Sequence, residues 1–156
     1  MSILTVWTAL WLALPGAAPG EIIDRVLDMA ATAKGPEVRA QAVKTLTTLK
    51  WRPATAEHWR KVGQIGAPAL PLLDTFLTDP DAAFRKATVA ALVDTAANHK
   101  ATRLDVLARL ARAATDDKDP AVRKAAAKAQ ETLKKQIASS PAVEPKPPEP
   151  PPPGLV

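Results

Sequence analysis

Apolar residues recur at three- and four-residue steps through residues 21–138, and this periodicity constrains the fold more than any other feature. In EIIDRVLDMA the residues that share one helical face are Ile22, Ile23, Val26, Leu27 and Ala30. Val and Ile never alternate with polar residues over the length of a strand, and no Asn-Gly or Asp-Gly hairpin turn occurs. The sequence therefore predicts an all-α domain over residues 21–138.

Proline and capping residues divide this region into successive helices. Pro36 and Pro120 are placed to open helices, because the first helical N–H has no partner within the helix. The predicted N-caps are Asp79, Thr102 and Asp119. The apolar faces predicted for three of these helices are Val38, Ala42, Thr45, Leu46 and Leu49; then Leu104, Leu107, Leu110 and Ala114; then Val122, Ala126, Ala129 and Leu133.

Three stretches of this region align with one another: GPEVRAQAVKTL, DPDAAFRKATVAAL and DPAVRKAAAKAQETL. Arg39, Arg85 and Arg123 take equivalent places in them, 46 and 38 residues apart. Each stretch follows a helix that ends at the turn. A helix pair that recurs about every 40 residues is typical of an α-solenoid, so the sequence predicts a short solenoid of about three helix pairs.

The middle copy, VGQIGAPALPLLDTFLTDPDAAFRKATVAAL, resembles a HEAT repeat of the short bacterial type. It has the IG-x-P-x-L-x-x-L first helix, the Asp-Pro turn and a second helix that opens with an apolar residue and Arg. LDVLARLARAATDDKDPAVRKAAAKAQETL is similar to a second copy, and EIIDRVLDMAATAKGPEVRAQAVKTL to a degenerate first. Residues 51–66 depart from the pattern and resemble the tail of a second helix whose first helix is missing.

The resemblance implies a ladder of turn aspartates and second-helix arginines between neighbouring repeats. By position, Arg85 is expected to pair with Asp79 or Asp81, and Arg123 with Asp119. Gly35 stands where the first copy would have its aspartate, so Arg39 is expected to lack this partner. These five residues, Arg39, Arg85, Arg123, Asp79 and Asp119, are the predicted structural links between repeats.

Residue types that carry chemistry are sparse. The chain has no cysteine, which excludes a disulfide, a thiolate metal site and a cysteine nucleophile within it. His58 and His99 lie about forty residues apart without a local carboxylate cluster, so neither is predicted to bind a metal. The segment 63–66, GQIG, lacks the Lys-Ser/Thr of a phosphate loop and is interpreted as a helix end and turn. No enzymatic activity and no cofactor are predicted.

The two ends of the chain differ from its middle. Residues 3–14 are apolar but too few to span a bilayer, which needs about 20. Small residues before Glu21 favour a cleaved signal peptide over residues 1–20, and hence a periplasmic or secreted protein, although no Lys or Arg precedes the run. The alternatives are an N-terminal helix packed on the domain or a wrongly assigned start.

Residues 139–156 form the other end, with eight prolines among the last sixteen residues. Such a composition cannot build helix or sheet and populates extended polyproline II. It is interpreted as a disordered tail or stiff spacer, with a ligand for a proline-recognising groove as the alternative.

The net charge of +5 and the resemblance together suggest a partner. Second helices of HEAT proteins usually line the concave surface, which implies Lys44, Lys86, Lys124 and Lys128 as contact residues. Trp51 and Trp59 are either core residues or binding anchors. The expected function is that of a monomeric, non-catalytic scaffold that binds another protein.

Two alternatives to this function remain open. One is a nucleic-acid-binding HEAT-like protein, whose base-excising relatives place a catalytic aspartate beside aromatic residues, although Trp51, Trp59 and Asp94 are scattered in the sequence. The other is a bilin lyase-like protein, which rests on the repeats alone.

Overall fold

The computed structural model describes residues 18–140, and every regular element in that range is helical. The seven α-helices of this range are α1 (Pro19–Thr32), α2 (Pro36–Thr48), α3 (Ala56–Ile65), α4 (Leu70–Leu77), α5 (Ala82–Asn98), α6 (Arg103–Asp116) and α7 (Pro120–Ser139). Short 3₁₀ turns, Ala67–Ala69 and Lys100–Thr102, precede α4 and α6. The all-α prediction is confirmed for these residues.

The predicted signal peptide and proline-rich tail lie almost wholly outside the described residues. The proposed cleavage point before Glu21 falls within the first turn of α1, which begins at Pro19. The predicted domain end at residue 138 falls in the last turn of α7.

The helices form two rows. The odd-numbered helices α1, α3, α5 and α7 pack one on the next in that order. In the even-numbered row, α6 packs on α4, and α2 contacts the 3₁₀ turn before α4. Between the rows, α1 packs on α2, α5 on both α4 and α6, and α7 on α6. Successive helices therefore alternate between the two rows, although α3 packs closely on neither α2 nor α4.

Hydrogen bonds between turns define two edges of this arrangement. At the first edge, Arg39 at the start of α2 donates to the Ile65 carbonyl at the end of α3, and the His99 ring after α5 bonds to the Gln64 carbonyl. At the second edge, Arg52 before α3 pairs with Asp79 before α5, and Arg85 pairs with Asp117 before α7. The odd helices thus begin at the second edge and the even helices at the first.

The presence of α3 between α2 and α4 makes the predicted repeat alignment wrong for the first copy. That alignment made α2, α5 and α7 equivalent second helices. In the structure α5 and α7 belong to the odd row and begin at the second edge, whereas α2 belongs to the even row and begins at the first edge. The first copy is therefore out of register by one helix. Helix α2 occupies the position of the first helix that was expected to be missing before α3.

One continuous apolar core lies between the rows. Its fully buried members include Leu27, Leu46, Leu73, Leu92 and Leu110. Burying a leucine side chain contributes about 1.5–3 kcal/mol, so these contacts hold the two rows together. The predicted faces of α1 and α7 are largely correct, since their buried residues are Val26, Leu27, Ala30, Val122, Ala126 and Leu133.

Three predicted core residues are instead exposed. Val38 and Leu49, near the two ends of α2, are 46% and 53% exposed, and Leu104 is 71% exposed. In α6 the inward face is formed by Val106, Leu110 and Ala113. The α6 sequence carries two apolar stripes that share Leu110, and packing against α5 and α7 selects the one without Leu104.

The prediction is wrong for two of the three helix N-caps. Asp119 caps α7 as predicted, accepting from the N–H groups of Ala121 and Val122 at 2.8 and 3.2 Å. Helix α5 begins two residues later than expected, and its cap is Asp81, which accepts from Ala83 N–H at 2.9 Å. Thr102 does not cap α6 with its side chain, because its hydroxyl donates to the His99 carbonyl at 2.8 Å.

Candidate functional site

Arg39, Arg85 and Arg123 share one backbone contact. Each side chain donates to the carbonyl six residues earlier: Arg39 to Ala33, Arg85 to Asp79 at 2.8 Å, and Arg123 to Asp117 at 2.7 Å. Each arginine therefore ties the first turn of its helix to the turn before it. This common contact explains the matching position of the three residues in the sequence.

Neither expected aspartate–arginine pair forms: Arg123 donates to the Asp117 carbonyl and does not pair with Asp119, and Arg85 pairs with the Asp117 carboxylate. Arg85 donates from Nε and Nη2 to the two carboxylate oxygens of Asp117, at 2.8 and 2.9 Å, with side chains 3% and 6% exposed. The hydrogen bond from Arg85 lowers the pKa of Asp117 against the opposing effect of burial, and the same bond raises the pKa of Arg85. Asp79 pairs with Arg52 at 3.0 Å instead.

Trp51 and Trp59 lie in an aromatic cluster with Phe76 and Phe84. Trp59 is 5.0 Å from Phe84 and 5.8 Å from Phe76, and Trp51 is 6.4 Å from Phe76, between ring centroids. Trp51 is 8% exposed and Trp59 partly buried, so Trp51 is a core residue and is removed from the candidate contact residues. The guanidinium of Arg52 stacks 4.3 Å over Phe84.

Asp94 does not join this cluster. It lies ten residues after Phe84 on α5, which places it about 15 Å further along the helix. Its Cβ lies close to Gly63 of α3, and partial burial raises the pKa of its carboxyl. The structure therefore does not bring Asp94 beside the aromatic rings; the aspartate near them is Asp79, which is paired with Arg52.

Both histidines make structural contacts. His58 Nδ1 accepts from Ala54 N–H at 3.2 Å, and its Nε2 lies 3.2 Å from Asp24 of α1. His99 bonds to the Gln64 carbonyl at 2.7 Å.

Among residues 18–140 no group of three or more His, Asp or Glu side chains is arranged to hold a metal ion. The helices of this range include none with the length and apolar character needed to cross a membrane.

Three of the four predicted lysines lie together. Lys86 is the fifth residue of α5 and Lys124 the fifth of α7, and these helices are neighbours that begin at the same edge. Lys128 follows Lys124 by one turn. All three are exposed, and none makes an ion pair within residues 18–140. We call Lys86, Lys124 and Lys128 the lysine surface. Lys44 is exposed on α2 in the other row and lies apart from it.

Two grooves flank α4. The larger, about 400 Å³, lies between α4 and α6 and is lined by Asp74, Leu77, Arg109, Arg112, Ala113 and Asp116, among others. The smaller, about 200 Å³, lies beside α2, with Lys50, Arg52 and Asp79 at its rim. Each groove is lined by helices that are not consecutive in sequence, α4 with α6 and α2 with α4, so no local sequence pattern marks it.

Comparison with protein-family models, with curated proteins and with solved structures gives no match to this chain.

Proposed function

We propose that this protein is a non-catalytic binding module that contacts an acidic surface of another protein through Lys86, Lys124 and Lys128. The observation that carries the proposal is the clustering of these three exposed lysines on neighbouring helices, without an ion pair in residues 18–140. Complementary charge at a contact surface raises the rate of encounter and sets specificity more than it raises affinity.

The charge around the lysine surface favours a protein over a nucleic acid. Asp94 is exposed on α5 two turns beyond Lys86, and Glu131 is exposed on α7 one turn beyond Lys128. Carboxylates would repel a continuous run of phosphates, whereas a folded partner can present cations to them. A nucleic-acid-binding protein usually neutralises several phosphates with one unbroken cationic surface.

We further propose that the helices form a HEAT-like solenoid with shifted pairs. By row, α2 and α3 would take the places of a first and a second helix, followed by the packed pairs α4 with α5 and α6 with α7. Helix α2 itself packs on α1, which precedes the series as an additional second helix. Three features support this architecture: the alternation of helices between two rows, the common contact of Arg85 and Arg123, and the links between successive turns at the second edge.

Photo-crosslinking tests the proposed surface. A photoreactive amino acid replaces Lys124 in the full chain, which is expressed in its native host, and crosslinked proteins are identified by mass spectrometry. The purified partner is then titrated with the wild type and with the triple variant Lys86→Glu, Lys124→Glu, Lys128→Glu. We expect the variant to bind about tenfold more weakly or worse, because three attractive charges become repulsive.

The matched control is the triple variant Lys34→Glu, Lys44→Glu, Lys100→Glu, whose lysines are exposed elsewhere and whose net charge changes equally. If the two triple variants weaken partner binding equally, the effect of charge is non-specific and the lysine surface is not the contact site. Tight binding of duplex DNA or RNA, with an affinity that falls steeply with salt, would instead identify a nucleic-acid-binding protein.

Export is a separate proposal that rests on the apolar run in residues 3–14 and the small residues before Glu21. Mass spectrometry of the protein purified from its host tests it. A mature chain that begins at Glu21 supports export, and a chain that retains Met1 or Ser2 refutes cleavage. Cleavage there would remove Pro19 and Gly20 from the first turn of α1.

A further inference from the structure

The last described residue lies against the start of α6. Ser140 follows α7, and its hydroxyl accepts from Arg103 Nη1 at 2.9 Å. Its backbone, with φ −71° and ψ 122°, is already extended, close to polyproline II. The described chain therefore ends at the first edge, beside the first turn of α6.

An exposed stripe runs along α6 from this point. Leu104, Ala108, Arg112 and Asp116 follow at four-residue steps, and all four are exposed. Leu104 is the most exposed large apolar residue of residues 18–140. Arg112 and Asp116 line the larger groove, and neither makes an ion pair within that range. The stripe thus begins with the apolar side chain of Leu104, continues to the cationic Arg112 and ends with the anionic Asp116.

The charges of the segment 141–148 match this stripe in sign and spacing. In polyproline II, Glu144 would lie about 12 Å and Lys146 about 19 Å from Ser140, at 3.1 Å per residue. Along α6, Arg112 lies about 14 Å and Asp116 about 20 Å from Arg103, at 1.5 Å per residue. A segment laid along α6 from Ser140 would therefore place Glu144 near Arg112 and Lys146 near Asp116.

We propose that residues 141–148 fold back along α6 and occupy the groove between α4 and α6. Pro141 to Val143 cover Leu104, Glu144 pairs with Arg112, Lys146 pairs with Asp116, and the intervening prolines pack on Leu77 and Ala113 at the floor of the groove. The occupant is this chain's own tail, and the inference does not depend on the lysine surface, which lies on other helices.

Disulfide formation between two introduced cysteines tests this position, because the chain has no cysteine of its own. The test pair in the full chain is Thr115→Cys with Pro147→Cys. The control pair is Lys128→Cys with Pro147→Cys. Thr115 lies about 18 Å from Arg103 along α6, and Lys128 about 18 Å from Ser140 along α7. A tail that ranges freely meets both positions equally, and both are exposed, so neither substitution removes a core contact.

We expect the test pair to form its intramolecular disulfide at least about tenfold faster than the control pair under mild oxidation in dilute solution, because docking raises the local concentration. In the test background, Arg112→Glu should slow the reaction, and adding Glu144→Arg should restore it. Equal rates for the two pairs would overturn the proposal. Disulfides that form only between molecules would also overturn it, since they would place the tail on a second copy. If Arg112→Glu does not slow disulfide formation, the proposed pairing of Glu144 with Arg112 is wrong.

Discussion

Gly66 ends α3 with φ 87° and ψ −148°, a backbone conformation that essentially only glycine adopts. A Cβ at this position would lie 3.0 Å from three atoms of the His99 ring. We therefore expect Gly66→Ala to lower the free energy of unfolding by about 1–3 kcal/mol. Urea denaturation followed by circular dichroism measures this change.

Gly20, in the full chain that retains residues 1–20, is the matched control for this residue. A Cβ at Gly20, in the first turn of α1, would meet nothing within 4 Å. Gly20→Ala should leave the free energy of unfolding unchanged or raise it by up to about 1 kcal/mol, because alanine favours helix. Equal stability of the Gly66→Ala protein and the wild type would contradict the prediction.

The GQIG segment indicated a helix end, but the contact with His99 joins residues 33 positions apart and has no local signal.

Helices α3 and α5 approach each other closely at Gly63. A Cβ there would lie 2.8 Å from Asp94 Cβ, and the Asn98 side chain donates to the Gly63 carbonyl at 3.2 Å. Glycine within a helix is about 1 kcal/mol less favourable than alanine, so propensity alone would favour alanine at this position. We expect Gly63→Ala nevertheless to lower the free energy of unfolding by about 1–2 kcal/mol, because the two helices must move apart.

A double-mutant cycle with Asp94→Gly separates packing from propensity. Asp94→Gly removes the obstructing Cβ, so the loss caused by Gly63→Ala should be smaller in that background. The measurement is the free energy of unfolding of the wild type, both single variants and the double variant. Additive losses would show that the close approach at Gly63 does not control how α3 and α5 pack.

At the scale of the whole molecule, the Arg85–Asp117 pair joins the turn before α5 to the turn before α7. Because the folded-state pKa of Asp117 is lowered from its usual 3.8, the stability from this pair is present at neutral pH. It is lost as the pH falls below about 4 through the lowered pKa. We expect Asp117→Asn to cost about 3 kcal/mol at pH 7, since it leaves a buried guanidinium without its carboxylate.

Between pH 5 and pH 2 the free energy of unfolding of the Asp117→Asn protein should fall less than that of the wild type. Urea denaturation across that pH range measures the difference. Asp74→Asn is the control, because Asp74 pairs with Arg109 at 2.7 Å but its side chain is 46% exposed. An exposed pair contributes about 0–1 kcal/mol. A loss at pH 7 no greater than that of Asp74→Asn would contradict a structural role for the buried pair.

Sequence alone is enough to predict the helical class, most helix boundaries and the cap of α7, because these depend on residues within a few positions of one another. Pro36, Pro120 and Asp119 act on the N–H groups of their own first turns. Proximity in sequence is sufficient for such effects, and the apolar stripes of α1 and α7 are likewise local.

Packing between helices, in contrast, sets the row of α2, the inward face of α6 and the partner of Arg85. The aligned sequences made α2 equivalent to α5 and α7, but the additional helix α3 places α2 at the opposite edge. Leu104 was as suitable for the core as Val106 until neighbouring helices selected one face. Arg85 finds Asp117 because two turns 32 residues apart meet at the second edge. Each outcome depends on the packing of helices that are distant in sequence, which local periodicity does not encode.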